Sequence, residues 1–321
     1  MKKQNVMKQI TLVVMLFFLS ISGAFAQTYE WKDIAGFTKD TNEKIHNFLE
    51  TTVPMNIRKV AVFDCDGTLL GQCPYYLADE ALYNYAKTHY QGKNDAKSKE
   101  KMAIVDKLLH GDNVGVEYVQ NRIRFLSGMK SEDIIRMGED MYEEKFQNKM
   151  YPQMKALCAN LKNYGFELWI VSASPELLYQ GFCEKQLGFI PDRILGVRSL
   201  VKADGTVTDQ LVFPVPQDEG KAEVVNTFIK TKPLFAAGNS RGDAEMMNTS
   251  VGLKLILNPD NKKAEKALGG KTVLGYWQSD PNCIIEYTRD VPEGNHKYVC
   301  GEVGVKQNAE SNVSTPNLIT Y

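Results

Sequence analysis

The residues best suited to chemistry lie in the segment Asp64-Cys65-Asp66-Gly67-Thr68, where an apolar run ends. Its two carboxylates stand two positions apart, and side chains at i and i+2 of an extended chain point the same way. Carboxylate oxygens are the ligands that a hard cation such as Mg²⁺ prefers. One carboxylate can then attack phosphorus and form an aspartyl-phosphate while the other handles the proton. The alternative interpretation is a simple turn, since Asp, Gly and Thr all favour turns.

The elements around this segment predict a layered α/β fold. A strand is predicted over residues 58–64, because the apolar residues at 60–63 run without interruption, as is typical of a strand buried on both faces. Further strands are predicted at 166–172, 233–237 and 251–257, and Ala203-Asp204-Gly205 predicts a hairpin. Helical patterns separate these strands. Strands that alternate with helices imply a doubly wound, Rossmann-like parallel sheet, which binds ligands at the carboxyl ends of its strands.

A helical insertion is predicted directly after the first strand. Residues 78–89 and 131–146 have helical patterns, and we expect the polar, lysine-rich segment 91–101 to be a loop between helices. The insertion is expected to cap the carboxyl ends of the strands. The predicted regions are a core over 27–73 and 151–303, a helical cap over 74–150 and a polar tail over 304–321.

The first 26 residues predict export. Lys2, Lys3 and Lys8 precede an apolar run over 12–19, and Ala24-Phe25-Ala26 follows. This order is typical of a secretory signal peptide cleaved after Ala26. The apolar run is shorter than the roughly 20 residues of a bilayer span. We therefore expect a periplasmic or secreted protein with no stable membrane anchor.

Composition and charge exclude several kinds of partner. The 321-residue chain is 43% hydrophobic, as in ordinary globular proteins. Without the three leader lysines, 35 basic residues stand against 39 acidic ones, which favours neither nucleic acid nor an anionic membrane. The six cysteines form no zinc-binding pattern. Cys283 and Cys300 are close enough in sequence to pair in an oxidising compartment, although spacing does not fix the pairing.

The segment that begins at Asp64 resembles the first motif of the haloacid dehalogenase-like hydrolase superfamily, and three more motifs follow in order. The resemblance implies that Asp64 is the nucleophile and Asp66 the general acid/base, with the Asp66 carbonyl on the metal. Gly67 and Thr68 are assigned to substrate binding. Ser172, at the end of a predicted strand, corresponds to the second motif and is expected to hydrogen-bond a phosphoryl oxygen.

The third and fourth motifs lie further along the chain. Lys221, near the start of a predicted helix, would offset charge between the nucleophile and the phosphate. The fourth motif is Gly238-Asn239-Ser240-Arg241-Gly242-Asp243, and the superfamily commonly has aspartate where this chain has Asn239. This departure removes one negative charge from the expected cation site. The residues that the resemblance assigns to Mg²⁺ are Asp64, Asp66, Asn239 and Asp243.

The helical insertion resembles the phosphoserine phosphatase-like branch. Residues 122–129 resemble a cap segment in which an arginine contacts substrate, which would be Arg122; the alternative is a solvated helix arginine. Asp66 favours phosphoryl transfer, because the dehalogenases of the superfamily lack this second aspartate. Cys73 stands where the branch has a glutamate for the amino group of phosphoserine, which argues against phosphoserine itself.

These observations predict an exported, Mg²⁺-dependent phosphatase that acts on a small phosphorylated metabolite. Two alternatives remain open. In the first, Asn239 impairs the site, and the chain is a phosphate-ester-binding protein with weak or lost catalysis. In the second, the chain transfers the phosphoryl group to an alcohol instead of to water.

Overall fold

The computed structural model describes residues 29–72, 76–111 and 115–288. The predicted signal peptide, the polar tail, Cys73 and the Cys300 partner of the predicted disulfide lie outside these residues. Within them, no helix combines the length and the apolar character needed to cross a membrane.

A seven-stranded sheet organises the fold. The strands are β1 Val60–Phe63, β2 Glu167–Pro175, β3 Ile194–Val201, β4 Val207–Val212, β5 Phe235–Gly238, β6 Leu253–Leu257 and β7 Cys283–Glu286. Their order is β4-β3-β2-β1-β5-β6-β7, and only the β3–β4 pair is antiparallel. This confirms the predicted α/β fold and its hairpin, whereas the short edge strand β7 is an addition to the prediction.

Helices cover the sheet and fill the segment between its first two strands. The helices are α1 Lys39–Thr52, α2 Leu77–His89, α3 Ala96–His110, α4 Val116–Leu126, α5 Ser131–Met141, α6 Pro152–Asn163, α7 Glu176–Leu187, α8 Glu219–Val224, α9 Ala244–Met247 and α10 Val273–Trp277. Helices α2 to α5 lie in the predicted insertion, and we call them the cap. Short π-helical turns extend α5 over Tyr142–Phe146 and α8 over Val225–Ile229.

The loop predicted over 91–101 is wrong from Ala96 onward, where α3 begins. Asp95 caps this helix by accepting hydrogen bonds from the backbone N–H of Ser98 at 2.9 Å and from its hydroxyl at 2.7 Å. Lys101 is buried, and its Nζ donates to the carbonyl oxygens of Arg124 and Ser127. A local cap and a satisfied ammonium group therefore outweigh the polar composition of the segment.

Strand β1 lies in the middle of the sheet and all four of its residues are buried. Val60 and Val62 pack in an apolar cluster on one face. On the other face the Phe63 ring lies 5.7 Å from that of Phe235 and 6.1 Å from that of Phe189. Burial of each such side chain stabilises the fold by about 1.5–3 kcal/mol. The residue that follows β1 is therefore held on a rigid support.

Two glycines bring the cap helix α5 into backbone contact with the core helix α7. A Cβ at Gly138 would lie 1.9 Å from the carbonyl oxygen of Leu178, and a Cβ at Gly181 would lie 2.1 Å from Oε1 of Glu139. Real Cβ atoms do not approach this closely, so the crossing depends on the absence of a side chain at Gly138, whereas at Gly181 the flexible Glu139 side chain would have to move aside.

We expect Gly138→Ala to destabilise the protein by about 1–3 kcal/mol, the usual cost of overpacking. Alanine gains roughly 1 kcal/mol of helix propensity over glycine, but the clash is with a backbone atom that cannot rotate away. Urea unfolding measures the difference. Gly242→Ala is the control, because its Cβ would meet its nearest neighbour at 3.6 Å. Equal midpoints for the two variants would contradict the close crossing.

Candidate active site

Two aspartates from neighbouring strands meet at the carboxyl edge of the sheet. Asp64 follows β1, and Asp243 lies beyond β5, which pairs with β1 in parallel. Lys221, from the first turn of α8, lies between them. Its Nζ donates to Oδ1 of Asp64 at 2.6 Å and to Oδ1 of Asp243 at 2.6 Å. All three side chains are buried.

The turn after β5 fixes the orientation of Asp243. Oδ2 of Asp243 accepts hydrogen bonds from the backbone N–H groups of Asn239 at 3.0 Å and Ser240 at 2.9 Å, and from the Ser240 hydroxyl at 2.9 Å. Reciprocal capping of this kind satisfies backbone donors at the start of a helical turn. Asp243 therefore has its other oxygen available for Lys221.

Asn239 lies against the turn that carries the first two aspartates. Gly67 has a φ of +90°, and a Cβ there would lie 2.0 Å from Nδ2 of Asn239. Only glycine adopts this backbone conformation readily and also has no Cβ that would clash with so close a neighbour. Thr68, assigned to the substrate from the sequence, donates its hydroxyl to Oδ2 of Asp64 at 3.2 Å.

The carboxylate of Asp66 is held by two hydroxyl groups. The Ser174 hydroxyl donates to Oδ2 at 2.7 Å, and the Tyr179 hydroxyl lies 2.8 Å from both Oδ1 and Oδ2. Ser174 belongs to β2 and Tyr179 to α7. Ser172 is buried on β2, and its hydroxyl accepts from the backbone N–H of Ser174 at 3.1 Å.

Arg122 is buried in the cap with 3% of its surface exposed, so the alternative of a solvated helix arginine is wrong. Its Nε and Nη2 donate to Oδ1 of Asp79 at 2.9 and 2.8 Å. The Tyr118 hydroxyl donates to Oδ2 of the same carboxylate at 2.6 Å. Burial raises the pKa of Asp66, and the charge of the nearby guanidinium is among the effects that act against this rise. Arg122 thus belongs to the buried polar group beside the acidic residues.

Negative charge exceeds positive charge in this buried group. Lys221 is the cation that contacts the acidic pair, whereas the charge of Arg122 is matched by Asp79. Burial alone would lower the pKa of Lys221, but the charges of Asp243 and Asp64 raise it, so the ammonium stays charged. One ammonium cannot neutralise Asp64, Asp66 and Asp243 together.

The burial and the excess negative charge shift the pKa values of the three aspartates in different directions. Burial first, and the nearby Asp243 second, raise the pKa of Asp64 to about 7. Burial also raises the pKa of Asp66, although Ser174 and Tyr179 act against it. Burial would raise the pKa of Asp243 as well, but Lys221 lowers it below its ordinary value. Asp243 is therefore the stable anion of the pair, and Asp64 carries the unfavourable charge.

The donor set fits a hard divalent cation that contributes the missing positive charge. Asp64 and Asp243 offer carboxylate oxygens, Asp66 its backbone carbonyl and Asn239 its amide oxygen, all of them oxygen ligands. Across the described ranges, no group of three or more His, Cys, Asp or Glu side chains forms a metal site.

In a metal chelator, we expect stability to fall as pH rises from about 4 to about 7. The pKa of Asp64 is about 7 in the folded protein and about 3.9 in an unfolded chain. Between these values the folded protein holds a proton that the unfolded chain has released, so raising the pH favours unfolding. The lowered pKa of Asp243 affects stability only at the acidic end of this pH range. Urea unfolding across this range should show a shallower slope for Asp64→Asn; an unchanged slope would contradict the assignment.

Sequence reasoning missed three residues of this site, namely Ser174, Tyr179 and Asp79. Ser174 had a local signal, because it stands two positions after Ser172 on the same strand. Tyr179 and Asp79 had none, since their partners lie 113 and 43 residues away in the chain.

The chain is similar to known proteins in sequence pattern and in fold. The model of the haloacid dehalogenase-like hydrolase family matches residues 61–248. A conserved, functionally unknown protein from Anaerococcus prevotii DSM 20548 has a TM-score of 0.55 and 16% identity, over 78% of this chain and 90% of that one. A protein of unknown function from Bordetella pertussis Tohama I has a TM-score of 0.51 and 16% identity, over 64% and 92%.

A probable phosphoserine phosphatase from Vibrio cholerae is also similar, with a TM-score of 0.45 and 17% identity over 74% of this chain and 68% of that one. No curated protein matches the chain. The family match spans more than half of the sequence and contains every residue of the acidic site. The chain therefore belongs to the haloacid dehalogenase-like hydrolases.

Proposed function

We propose that this chain is an exported, Mg²⁺-dependent phosphatase that acts on a small phosphomonoester through an aspartyl-phosphate on Asp64. The observation that carries the proposal is the position of Lys221, whose Nζ lies 2.6 Å from both Asp64 and Asp243. A second buried aspartate, Asp66, stands two residues from the nucleophile. A carboxylate nucleophile, a cation and an acid/base at one sheet edge are the parts that phosphoryl transfer requires.

The proposed reaction has two steps. An oxygen of Asp64 attacks phosphorus, the bond from phosphorus to the leaving oxygen breaks, and Asp66 gives that oxygen its proton. Asp66 then takes a proton from water, the water oxygen attacks phosphorus, and the bond from phosphorus to Asp64 breaks to release phosphate. Lys221 and Ser172 stabilise the phosphoryl oxygens through charge and hydrogen bonding. Bound Mg²⁺ would supply further positive charge to these oxygens.

Three observations bear on the substrate and the location. Asp66, Lys221 and Arg122 are each less than a tenth exposed, which supports a small substrate. The segment 122–129 supports the phosphoserine phosphatase-like branch, while Cys73 disfavours phosphoserine itself. Export rests on the order of basic, apolar and small residues in the first 26 positions.

We expect the mature protein to hydrolyse para-nitrophenyl phosphate with Mg²⁺ and to lose this activity in a chelator. Restoring Mg²⁺ should restore the rate, because the buried acidic group lacks compensating charge. A panel of phosphorylated metabolites then identifies the substrate, and added glycerol reveals any transfer to an alcohol. Full activity in the chelator would overturn the metal dependence. If the protein has no activity with any of the metals tested, the hydrolase proposal is wrong.

A phosphate-ester-binding protein is the second candidate, and the amide of Asn239 is the observation that favours it. Fewer anionic ligands weaken cation binding. The binder is supported if the parent protein binds phosphate esters without turnover and Asn239→Asp gains activity. An active parent, whose Asn239→Asp variant only needs less Mg²⁺, supports the enzyme.

A further inference from the structure

We propose that Tyr179 is a positioning residue for Asp66, and that its hydroxyl orients the Asp66 carboxylate for proton transfer to the leaving oxygen. This inference rests on the proposed phosphatase function. It adds a residue that lies outside all four sequence motifs.

The contacts of Asp66 carry the argument. The Tyr179 hydroxyl is 2.8 Å from each carboxylate oxygen, and the Ser174 hydroxyl is 2.7 Å from Oδ2. Within the described ranges, no other donor contacts this carboxylate. A hydroxyl that faces both oxygens restricts rotation of the carboxylate plane, and Ser174 restricts it from a second direction.

Tyr179 is itself held firmly. Its side chain is 1% exposed, and its ring lies 5.2 Å from that of Phe182. Phe182 stacks on Tyr142 with ring centroids 5.0 Å apart and planes 3° apart. Tyr142 belongs to the π-helical turn that extends α5, so this aromatic row runs from the cap to the acid/base. A buried hydroxyl also needs a hydrogen-bond partner, which fixes it on Asp66.

A positioned carboxylate matters because proton transfer needs a short distance. A general acid must come within about 2.6–3.2 Å of the atom that it protonates. Misplacement by about 1 Å can reduce a rate by about a hundredfold. Asp66 gives its proton to the leaving oxygen while the bond from phosphorus to that oxygen breaks. An alkoxide leaves with difficulty unless it is protonated, whereas para-nitrophenolate is a weak base and leaves without a proton.

The test compares two leaving groups in the Tyr179→Phe variant. The rates are kcat/KM for butyl phosphate and for para-nitrophenyl phosphate, with Mg²⁺ present. The expected result is a loss for butyl phosphate that exceeds the loss for para-nitrophenyl phosphate by about tenfold, the size of one hydrogen bond to a charged group. The loss should lie in kcat rather than KM, because Tyr179 acts through Asp66.

Tyr142→Phe is the matched control. It keeps the stacked ring and removes a hydroxyl that donates to the carbonyl oxygen of Gln147 at 3.4 Å, so the ratio of the two rates should not change. Ser174→Ala is a second test variant and should shift the ratio in the same direction as Tyr179→Phe. If circular dichroism shows that Tyr179→Phe does not fold, the Ser174→Ala variant is used in its place to test the proposal.

The outcomes distinguish failure of the positioning role of Tyr179 from failure of the proposed phosphatase function. An active parent whose Tyr179→Phe variant loses both rates equally, or loses neither, overturns the positioning role alone. A parent inactive on both esters overturns the proposed function and the role of Tyr179 with it.

Discussion

Asp64→Asn is expected to reduce turnover by a factor on the order of 10⁴ or more, because an amide cannot replace the attacking carboxylate. The fold should remain intact. Lys221 keeps its ion pair with Asp243 in this variant, and the carboxylate that is removed carries the unfavourable buried charge. Hydrolysis of para-nitrophenyl phosphate measures the loss, and circular dichroism checks the fold.

The control for this experiment is Asp106→Asn. Asp106 lies on α3 with 73% of its side chain exposed and pairs with His110 of the same helix. It should hydrolyse the ester at the parent rate. Parent-level turnover in Asp64→Asn would show that another group attacks phosphorus, and the assignment of the nucleophile would then be wrong.

Lys221→Met is expected to have the largest effect on stability. It removes the ammonium group that, among the described residues, contacts both Asp64 and Asp243. Breaking a buried ion pair by removing one partner costs about 3–5 kcal/mol, because the remaining charge is buried without compensation. The loss should be greater at pH 8 than at pH 5. Burial and Asp243 raise the pKa of Asp64 to about 7 in the parent, although Lys221 lowers it. Without Lys221 the folded variant holds protons that the parent has released, so its stability falls more steeply as the pH rises. Urea unfolding at both pH values measures the loss.

The same variant reports on the metal. Added Mg²⁺ should recover part of the lost stability, because a ligand that binds only the folded protein stabilises it. Activity should remain low, by a factor of about 10²–10³, because the charge beside the phosphoryl group is gone. The control is Lys262→Met, since Lys262 is exposed. If both variants unfold at the same urea concentration, Lys221 does not hold the acidic pair together.

Much of the site was predictable from local sequence. Asp64 follows a continuous apolar run, which identifies a central strand, and parallel strands bring their carboxyl ends to one edge. Lys221 was identified through the family resemblance, by its order after the hairpin and its place at a helix start. The predicted turn included Gly67. The structure explains the glycine by its positive φ and by the nearby Asn239 amide.

The rest depends on contacts that local patterns do not encode. Tyr179 meets Asp66 only because α7 lies over β2 with a particular rotation, which tertiary packing sets. β7 has four residues and forms one edge of the sheet, so its apolar run is too short to distinguish it from a loop. At α3, the Asp95 cap was a usable signal that the lysine-rich composition obscured.

The contact of α5 with α7 has a consequence for engineering this scaffold. A cap transplanted from another protein would have to present a residue without a side chain opposite Leu178, or its helix would stand away from the core. It would also have to supply a flat ring opposite Phe182, where Tyr142 now stacks. Transplanted caps that meet both requirements should pack against α7 as the native cap does. The residues at positions 138 and 142 are therefore the first to retain when a chimera is built.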